Sequence, residues 1–508
     1  MKHRIVRFFA ALLLPLLLIG CSAQEDLPED TSPLPLEEEG PETDDRVILP
    51  EHFALPYAPD LPLDGVDCPD GMQQVVSSLL CEGLFRLGPD FQPIPNLCSG
   101  YTYDAENLTY TLSIRSSVTF SDGTPLTPDD VKATLDRARK SERYAARLAD
   151  IASVSAGGTS VTVTLSAPNA ALPALLDIPI SKAGTERNAA PTGTGPYLFS
   201  VENGEPWLIA NQSWWRGGGQ PADRIALVEC ADLDTKLYRF TSHDVQLITA
   251  DLTGTSPITA SGNTVYQDAD TTVLQYLGIN TAREGLDDAA LRRALSLGID
   301  RSHIVSAFLS GHGKAAQFPV SPVSPLYPAE REQRYDPESF AAALESSGYA
   351  GSRTLKLLVN EENTFKVSVA QYLANTFTAA GIPMEARILP WADYTAALAA
   401  GEFDLYYGEV KLSADWDVSA LLATGGALNY GGWSSELTDM RLAACAAAED
   451  RAAAMDALCF HLQQNAPIIP LCFKSTSVLM QADVLEGLSP TMTEPFYNLA
   501  DCTINLRK

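Results

Sequence analysis

Residues 355–389 restrict this chain more than any other stretch. The segments 355–359 and 384–389 have the apolar content of strands, and 365–380 between them reads as a helix closed by Gly381. A strand–helix–strand unit joins parallel neighbours, because a tight hairpin connects only antiparallel ones, and parallel sheets are covered by helices. An α/β fold follows. A helix over 391–400 ended by Gly401 and a strand over 403–410 extend the pattern, two alanine-rich helices occupy 436–465, and 468–473 is the last strong apolar run.

The N-terminal half reads differently. Leu108, Tyr110, Leu112 and Ile114 alternate with polar residues as in a half-buried strand, Asp122-Gly123 turns the chain, and Thr127, Pro128 and Asp130 supply the start of a capped helix through about Lys140. Val161, Val163 and Leu165 alternate again after Gly157-Gly158, so 73–189 is a small mixed unit. A Gly-Pro break at 193–197 precedes strand-like segments at 225–228, 245–248 and 272–279. Asp287 or Asp288 can cap a helix with Leu291, Ala294, Leu295 and Gly298 on one face; Asp300 can cap the next, and Asp336-Pro337 opens a helix closed by Gly348. At about 150 residues per domain, 508 residues make about three domains.

Lys2, Arg4 and Arg7 precede an apolar run of twelve, residues 8–19, too short for the roughly 20 residues that span a bilayer, so residues 1–20 are an export signal. The run ends in Leu18-Ile19-Gly20-Cys21, which resembles the bacterial lipoprotein box and implies lipidation at Cys21; two acyl chains there would make a stable tether. Residues 21–46 are acidic and Pro-rich, too polar to bury a core, and read as an extended spacer. The net charge of −29 repels phosphate backbones, which argues against nucleic acid as a partner. Eight cysteines beyond Cys21 permit disulfides without specifying any, and no pair has C-x-x-C spacing. The six histidines form no H-E-x-x-H motif, so neither a metal nor a cofactor is expected.

Several segments, in order, resemble one family, the extracellular solute-binding protein family 5, the peptide and nickel ABC-transporter lipoproteins of the oligopeptide- and dipeptide-binding type. The most specific is YTLSIRSSVTFSDGTPLTPDDV over 110–131. Asn211-Gln-Ser-Trp-Trp215, Asn280, Leu291-Arg-Arg-Ala-Leu295 with Ile299-Asp300-Arg301, Tyr335-Asp336-Pro337 ahead of Gly348-Tyr349, and Ala466-Pro-Ile-Ile-Pro470 support it, with Gly193-Thr-Gly-Pro-Tyr197 between. The resemblance implies a type II periplasmic-binding-protein fold, two lobes with a hinge and an extra small domain. Transferred here, lobe I takes 47–72, 190–275 and 485–508, the extra α/β domain 73–189, and lobe II 276–484. The hinge is expected near Leu277-Gly278 and again near residue 484.

The resemblance further implies a monomeric, membrane-anchored receptor on the extracytoplasmic face of a bacterial membrane. It would capture a short peptide by closure of the cleft and deliver it to the permease and ATPase subunits of an importer. Peptide-binding relatives place an aspartate after the strand corresponding to 403–410 to meet the peptide ammonium, which points to Asp415 or Asp417, with Asp417 favoured; either can equally cap the helix starting near Val418. The chain departs from the W-x-x-D-Y-x-D-P pattern of that region, with Glu409 near the usual tryptophan and no Pro after Asp417. Trp416, Tyr406, Tyr407, Tyr430 and Trp433 can wall side-chain pockets or fill the core, and Lys411 can meet a carboxylate or stand in solvent. Arg115, Asp122, Asp300 and Arg301 read as structural. Two alternatives stay open: the same fold with another solute, such as a nickel chelate, an oligosaccharide or a signalling peptide; and a secreted hydrolase. For the latter no nucleophile motif is present, and no enzymatic activity is expected.

Overall fold

The computed structural model describes residues 49–68, 71–255 and 263–507. The expected export signal, the expected lipidation at Cys21 and the acidic spacer read over 21–46 lie outside them. Three larger sheets organise the described chain. In the first, the strands run Ala54–Tyr57, Arg224–Glu229, Glu205–Ala210 and Tyr197–Glu202, the first pair parallel and the rest antiparallel. The second is antiparallel throughout, in the order Cys98–Asp104, Thr109–Ile114, Ser160–Leu165 and Ile151–Gly157. The third has the order Leu247–Ala250, Ile468–Gln481, Thr264–Ile279, Leu405–Lys411, Leu355–Asn360 and Met384–Leu389, with Gly313–Ala315 also pairing with Ile468–Gln481. Leu355–Asn360 runs parallel to both Met384–Leu389 and Leu405–Lys411, as the strand–helix–strand reading requires.

The apolar side chains pack into distinct bodies. One core joins residues from Phe53 to Cys81, Tyr197 to Ala250 and Val478 to Cys502. A second fills the small unit between Val66 and Ile180. Two more lie on the third sheet, one of them formed wholly between Leu277 and Cys472. Helix Gly71–Leu80 buries Met72, Val75, Val76, Leu79 and Leu80 in the first core, although the sequence boundaries place most of it with the small unit. The turn at Gly193 explains why: a Cβ there would meet the Leu80 carbonyl oxygen at 2.0 Å, and Gly195 N–H donates to that oxygen at 2.9 Å. Only glycine lets the 193–197 segment press against the helix end.

Local start signals read from sequence hold. Thr127 accepts from Asp130 N–H while the Asp130 carboxylate accepts from Thr127 N–H, a capping box that starts helix Pro128–Ala138. Asp288, Asp300 and Asp336 each accept a backbone N–H at a helix start, and Gly348 closes Pro337–Ser347 in the left-handed region.

Two strands carry the chain between bodies. Thr264–Asp270 pairs with Ser475–Gln481 beside Leu247–Ala250. Leu274–Gly278 then pairs with Ile468–Phe473 on one side and the Leu405–Lys411 strand on the other. The register breaks between Asp270 and Leu274. There the Thr271 hydroxyl donates to the Lys474 carbonyl and the Thr272 hydroxyl to the Leu412 carbonyl, each at 2.6 Å, so side chains replace the interrupted ladder. The crossing therefore falls at 271–273, opposite Lys474. Leu277 and Gly278, where the hinge was expected, pair with strands on both sides just past a second register break between Gln275 and Tyr276, and residue 484 lies beyond the end of the Ile468–Gln481 strand.

Cys81, Cys98, Cys230, Cys445, Cys459, Cys472 and Cys502 are free thiols, all but Cys445 buried. Among the described residues no helix is long and apolar enough to cross a membrane.

Candidate functional site

A cavity of about 760 Å³ opens where the first body and the small unit face the segment that follows strand Leu405–Lys411. One wall carries Glu82, Arg86, Arg143, Arg147 and Arg216; the opposite wall carries Lys411, Ser413 and Asp417, and Glu494 and Tyr497 of the C-terminal segment complete the lining.

Most of the charges on the first wall are neutralised within it. Arg86 donates to both Glu494 carboxylate oxygens, at 2.8 and 3.1 Å from Nε, and stacks on the Tyr497 ring at 4.2 Å. Glu82 is held by Arg216 at 3.3 Å and accepts from the Trp215 indole at 2.6 Å and the Thr194 hydroxyl at 3.0 Å. Burial raises the Glu82 pKa against the pull of Arg216 and these donors. Arg147 pairs with Asp177, and its Nε is buried with no partner among the described residues.

Lys411 and Arg143 are different. Arg143 donates to the Cys68 carbonyl at 2.8 Å and lies over the Tyr144 ring, and no carboxylate among the described residues pairs with it. The Lys411 ammonium has no hydrogen-bond or ion-pair partner among them either. Its side chain still reaches solvent, yet partial desolvation in the cleft, then Arg143 and Arg147, push its pKa below the ordinary lysine value while Asp177 opposes.

The remaining sequence candidates divide by the side they face. Asp417 is exposed on the cavity, and its Oδ1 accepts from Ser419 N–H at 2.9 Å and the Ser419 hydroxyl at 2.6 Å. It thus meets the cleft and also holds the start of the short helix Ser419–Leu422. Asp415 is buried and does not line the cavity: it accepts from Asn169 Nδ2 at 3.2 Å, from the Ser413 hydroxyl and from Asp417 N–H at 3.3 Å. Because Asn169 belongs to the small unit, Asp415 ties one cleft wall to the other.

Trp416, between them, is 2 % exposed and packs edge-on against Phe91 of the small unit at 5.3 Å and Phe473 at 5.7 Å. Tyr406 and Tyr407 are core residues. Tyr406 lies over Gly278 in the pairing strand while Tyr276 lies over Gly408, and the two hydroxyls meet at 3.2 Å; Tyr407 donates to Gln275 at 2.5 Å. Strand alternation sends the two tyrosines to opposite faces, and both faces are covered. Tyr430 is exposed and stacks edge-on with Tyr406, whereas Trp433 donates to Thr438 and lies under Arg292; neither lines the cavity.

The first wall was not read from sequence. Trp214, which lines the cavity, and Trp215, which holds Glu82, fall in the Asn211–Trp215 match, so that motif was visible without its role. Glu82 with Arg86, Arg143 with Arg147, and Glu494 come from three separate parts of the chain with no motif to join them.

Comparison with known proteins places these features in context. Over 387 residues the chain is 25 % identical to the glutathione-binding protein GsiB of Escherichia coli K12, covering 71 % of this chain and 75 % of that one. The nickel ABC transporter structure from Bacillus halodurans superposes with a TM-score of 0.73 at 20 % identity, covering 88 % of this chain and 98 % of that one. The oligopeptide-binding protein AppA of Bacillus subtilis, in complex with a nonapeptide, gives 0.60 at 19 % identity, covering 91 % and 100 %. These likenesses establish the type II periplasmic-binding-protein fold. The model of the bacterial extracellular solute-binding proteins, family 5 middle region, matches residues 92–430. The chain belongs to that family, the solute-binding proteins of ABC importers.

Proposed function

We propose that the protein is a lipid-anchored receptor that captures short peptides between its two lobes and hands them to an importer without chemically changing them. One observation carries the reading: a cleft of about 760 Å³ whose lining presents charges of both signs without an ion pair among the described residues, the carboxylate of Asp417 and the cations of Lys411 and Arg143. A peptide brings an ammonium, a carboxylate and a row of amides, and this volume falls in the roughly 300–1,000 Å³ range of small-ligand sites. Asp417 is the group we assign to the ammonium. A ligand holds the lobes together only by touching both, so capture and closure are one event. GsiB is a glutathione-binding protein, and AppA is an oligopeptide-binding protein seen in complex with a nonapeptide. Lipidation at Cys21 would keep the receptor at the membrane surface.

Native mass spectrometry of the purified protein, followed by denaturation, tests the reading directly: a stoichiometric, intact peptide is expected. Recovery of a nickel chelate or oligosaccharide would move the protein to another cargo, and recovery of hydrolysed products would make it an enzyme. Asp417→Ala is expected to weaken peptide binding about tenfold, or about 1.4 kcal/mol; unchanged affinity in a folded variant would remove Asp417 from the site.

A further inference from the structure

We infer that a second cavity, walled wholly by residues between Ala290 and Pro470 and separate from the cleft, binds a short aliphatic monocarboxylate between Arg301 and Arg293. Its volume is about 320 Å³. Helices Ala289–Leu297, Pro337–Ser347 and Arg451–Asn465, the 317–335 segment and the start of strand Ile468–Gln481 form its walls. Three of the segments that carry the family likeness meet there, through Arg293 and Arg301, Tyr335, and Ala466 with Pro470, and none of these residues lines the cleft. Peptide capture leaves this cavity without a role.

Two arginines point to an anion. Arg301 is 7 % exposed, and its hydrogen bonds all go to neutral oxygens. Its Nε donates to the Pro470 carbonyl at 2.8 Å, Nη1 to the Ser296 and Ile299 carbonyls at 3.1 and 3.4 Å, and Nη2 to the Ser296 hydroxyl at 3.0 Å. These bonds are the structural role the sequence implied, but an Nη2 carries two hydrogens, so one is left without an acceptor among the described residues. The charge is also left without a paired carboxylate among them, whereas buried charges are ordinarily paired. Glu332 acts on Arg301 electrostatically, yet its carboxylate takes its hydrogen bond from the Tyr327 hydroxyl. Burial accordingly pushes the Arg301 pKa down to about 10. Nearer solvent, the exposed Arg293 donates to Gln464 Oε1 at 3.4 Å and has no carboxylate partner among the described residues either.

The lining sets the class of ligand. A single buried guanidinium balances a single negative charge, and a second charge at that depth would be desolvated without a partner, so a monoanion fits where a phosphate dianion does not. Leu297, Ile299, Leu462 and Ile468 present hydrocarbon beside Arg301, which suits a short aliphatic body. The volume stands at the lower end of the roughly 300–1,000 Å³ range of small-ligand sites. A carboxylate there gains charge-assisted hydrogen bonds from both arginines, and nothing in the cleft is needed to form them.

The test titrates butyrate, and butyramide as its uncharged match, into the full chain as wild type, Arg301→Gln, Arg293→Gln, Ala343→Leu and Arg143→Gln. Binding is followed by ligand-observed NMR and folding by circular dichroism. Butyrate is expected to bind wild type at least about tenfold more tightly than butyramide, the factor that loss of one hydrogen bond to a charged group implies. Arg301→Gln should lose about that factor, Arg293→Gln about threefold as an exposed charge, and Ala343→Leu should weaken the acid and the amide alike by filling the space. Arg143→Gln, which alters the cleft, should bind butyrate as wild type does. If Arg301→Gln fails to fold, unchanged butyrate affinity in Arg293→Gln and Ala343→Leu would overturn the site. Absence of butyrate binding, or equal binding of acid and amide, would overturn it as well. Binding lost in Arg143→Gln but kept in Arg301→Gln and Arg293→Gln would place the acid in the cleft and overturn it too.

Discussion

Trp416 holds a left-handed backbone, φ 61°, which a bulky residue adopts only when its surroundings impose it. The imposition is visible: the indole is wedged between Phe91 and Phe473, and this twist turns Asp415 inward to Asn169 while Asp417 turns out to the cleft. Two aspartates two residues apart thus have separate duties. Asp415→Ala should destabilise the protein by about 2 kcal/mol, the cost of leaving buried donors such as Asn169 Nδ2 unpaired, measurable by urea unfolding. Asp417→Ala, on an exposed group, should change stability by no more than about 1 kcal/mol, the scale of a lost helix-start contact, with its larger effect on binding. A reversed order of the two stabilities would show that Asp417, not Asp415, anchors the segment. From sequence Asp417 was favoured as the ligand group, but the buried tie of Asp415 was not legible, because both stood at the correct spacing to cap a helix and both to face a ligand.

At the scale of elements, the paired strands Thr264–Ile279 and Leu405–Lys411 explain why aromatic candidates went to the core. Tyr276 sits opposite Gly408 and Tyr406 opposite Gly278, so each ring covers the bare backbone of its partner glycine. A Cβ at Gly278 would stand 2.0 Å from the Tyr406 ring. Gly278→Ala should therefore cost about 2 kcal/mol through overpacking, and adding Tyr406→Leu should recover part of it, so that the double mutant is less unstable than the sum of its singles. Strict additivity would mean the two residues do not contact. Helix Pro128–Ala138 offers a simpler case: Thr127→Ala removes one side of the capping box and should lower stability by about 1 kcal/mol. That helix start was legible because every interaction defining it lies within four residues. The crossing strands were read too short, at 272–279 and 468–473, because their remaining halves carry Asp268, Asp270, Ser475, Thr476 and Ser477. Those polar residues erase the apolar signal while still pairing, and their side chains serve contacts of their own, such as Asp268 with Ser477 across the ladder and with His312.

Across the whole molecule, the two bodies are joined by ionic contacts at the crossing as well as by backbone. Lys474, 4 % exposed, pairs with Asp251 of the first body at 2.5 Å and with Glu409 of the third sheet at 3.6 Å, and Lys366 also reaches Glu409 at 3.3 Å. Lys474→Met would leave Asp251 and Glu409 without their shared partner and should cost about 2 kcal/mol, seen as a lower urea midpoint, with ligand-induced closure altered as well. Small-angle scattering is expected to show a smaller radius of gyration with bound peptide than without; identical curves would exclude closure. Burial pushes the Cys472 thiol up to about 12, so a thiol reagent should label Cys472 slowly in the native protein and fully in the unfolded one, read by peptide mapping. The sequence by itself determined what depends on neighbours along the chain: helix starts, the parallel strand–helix–strand unit and the ordered motifs of the family. Only the tertiary structure decided which charges share a cavity and which neutralise one another, and which aromatic side chains are core. Arg143 and Lys411 stand 268 positions apart, and no local pattern records that folding sets them on facing walls of one cleft.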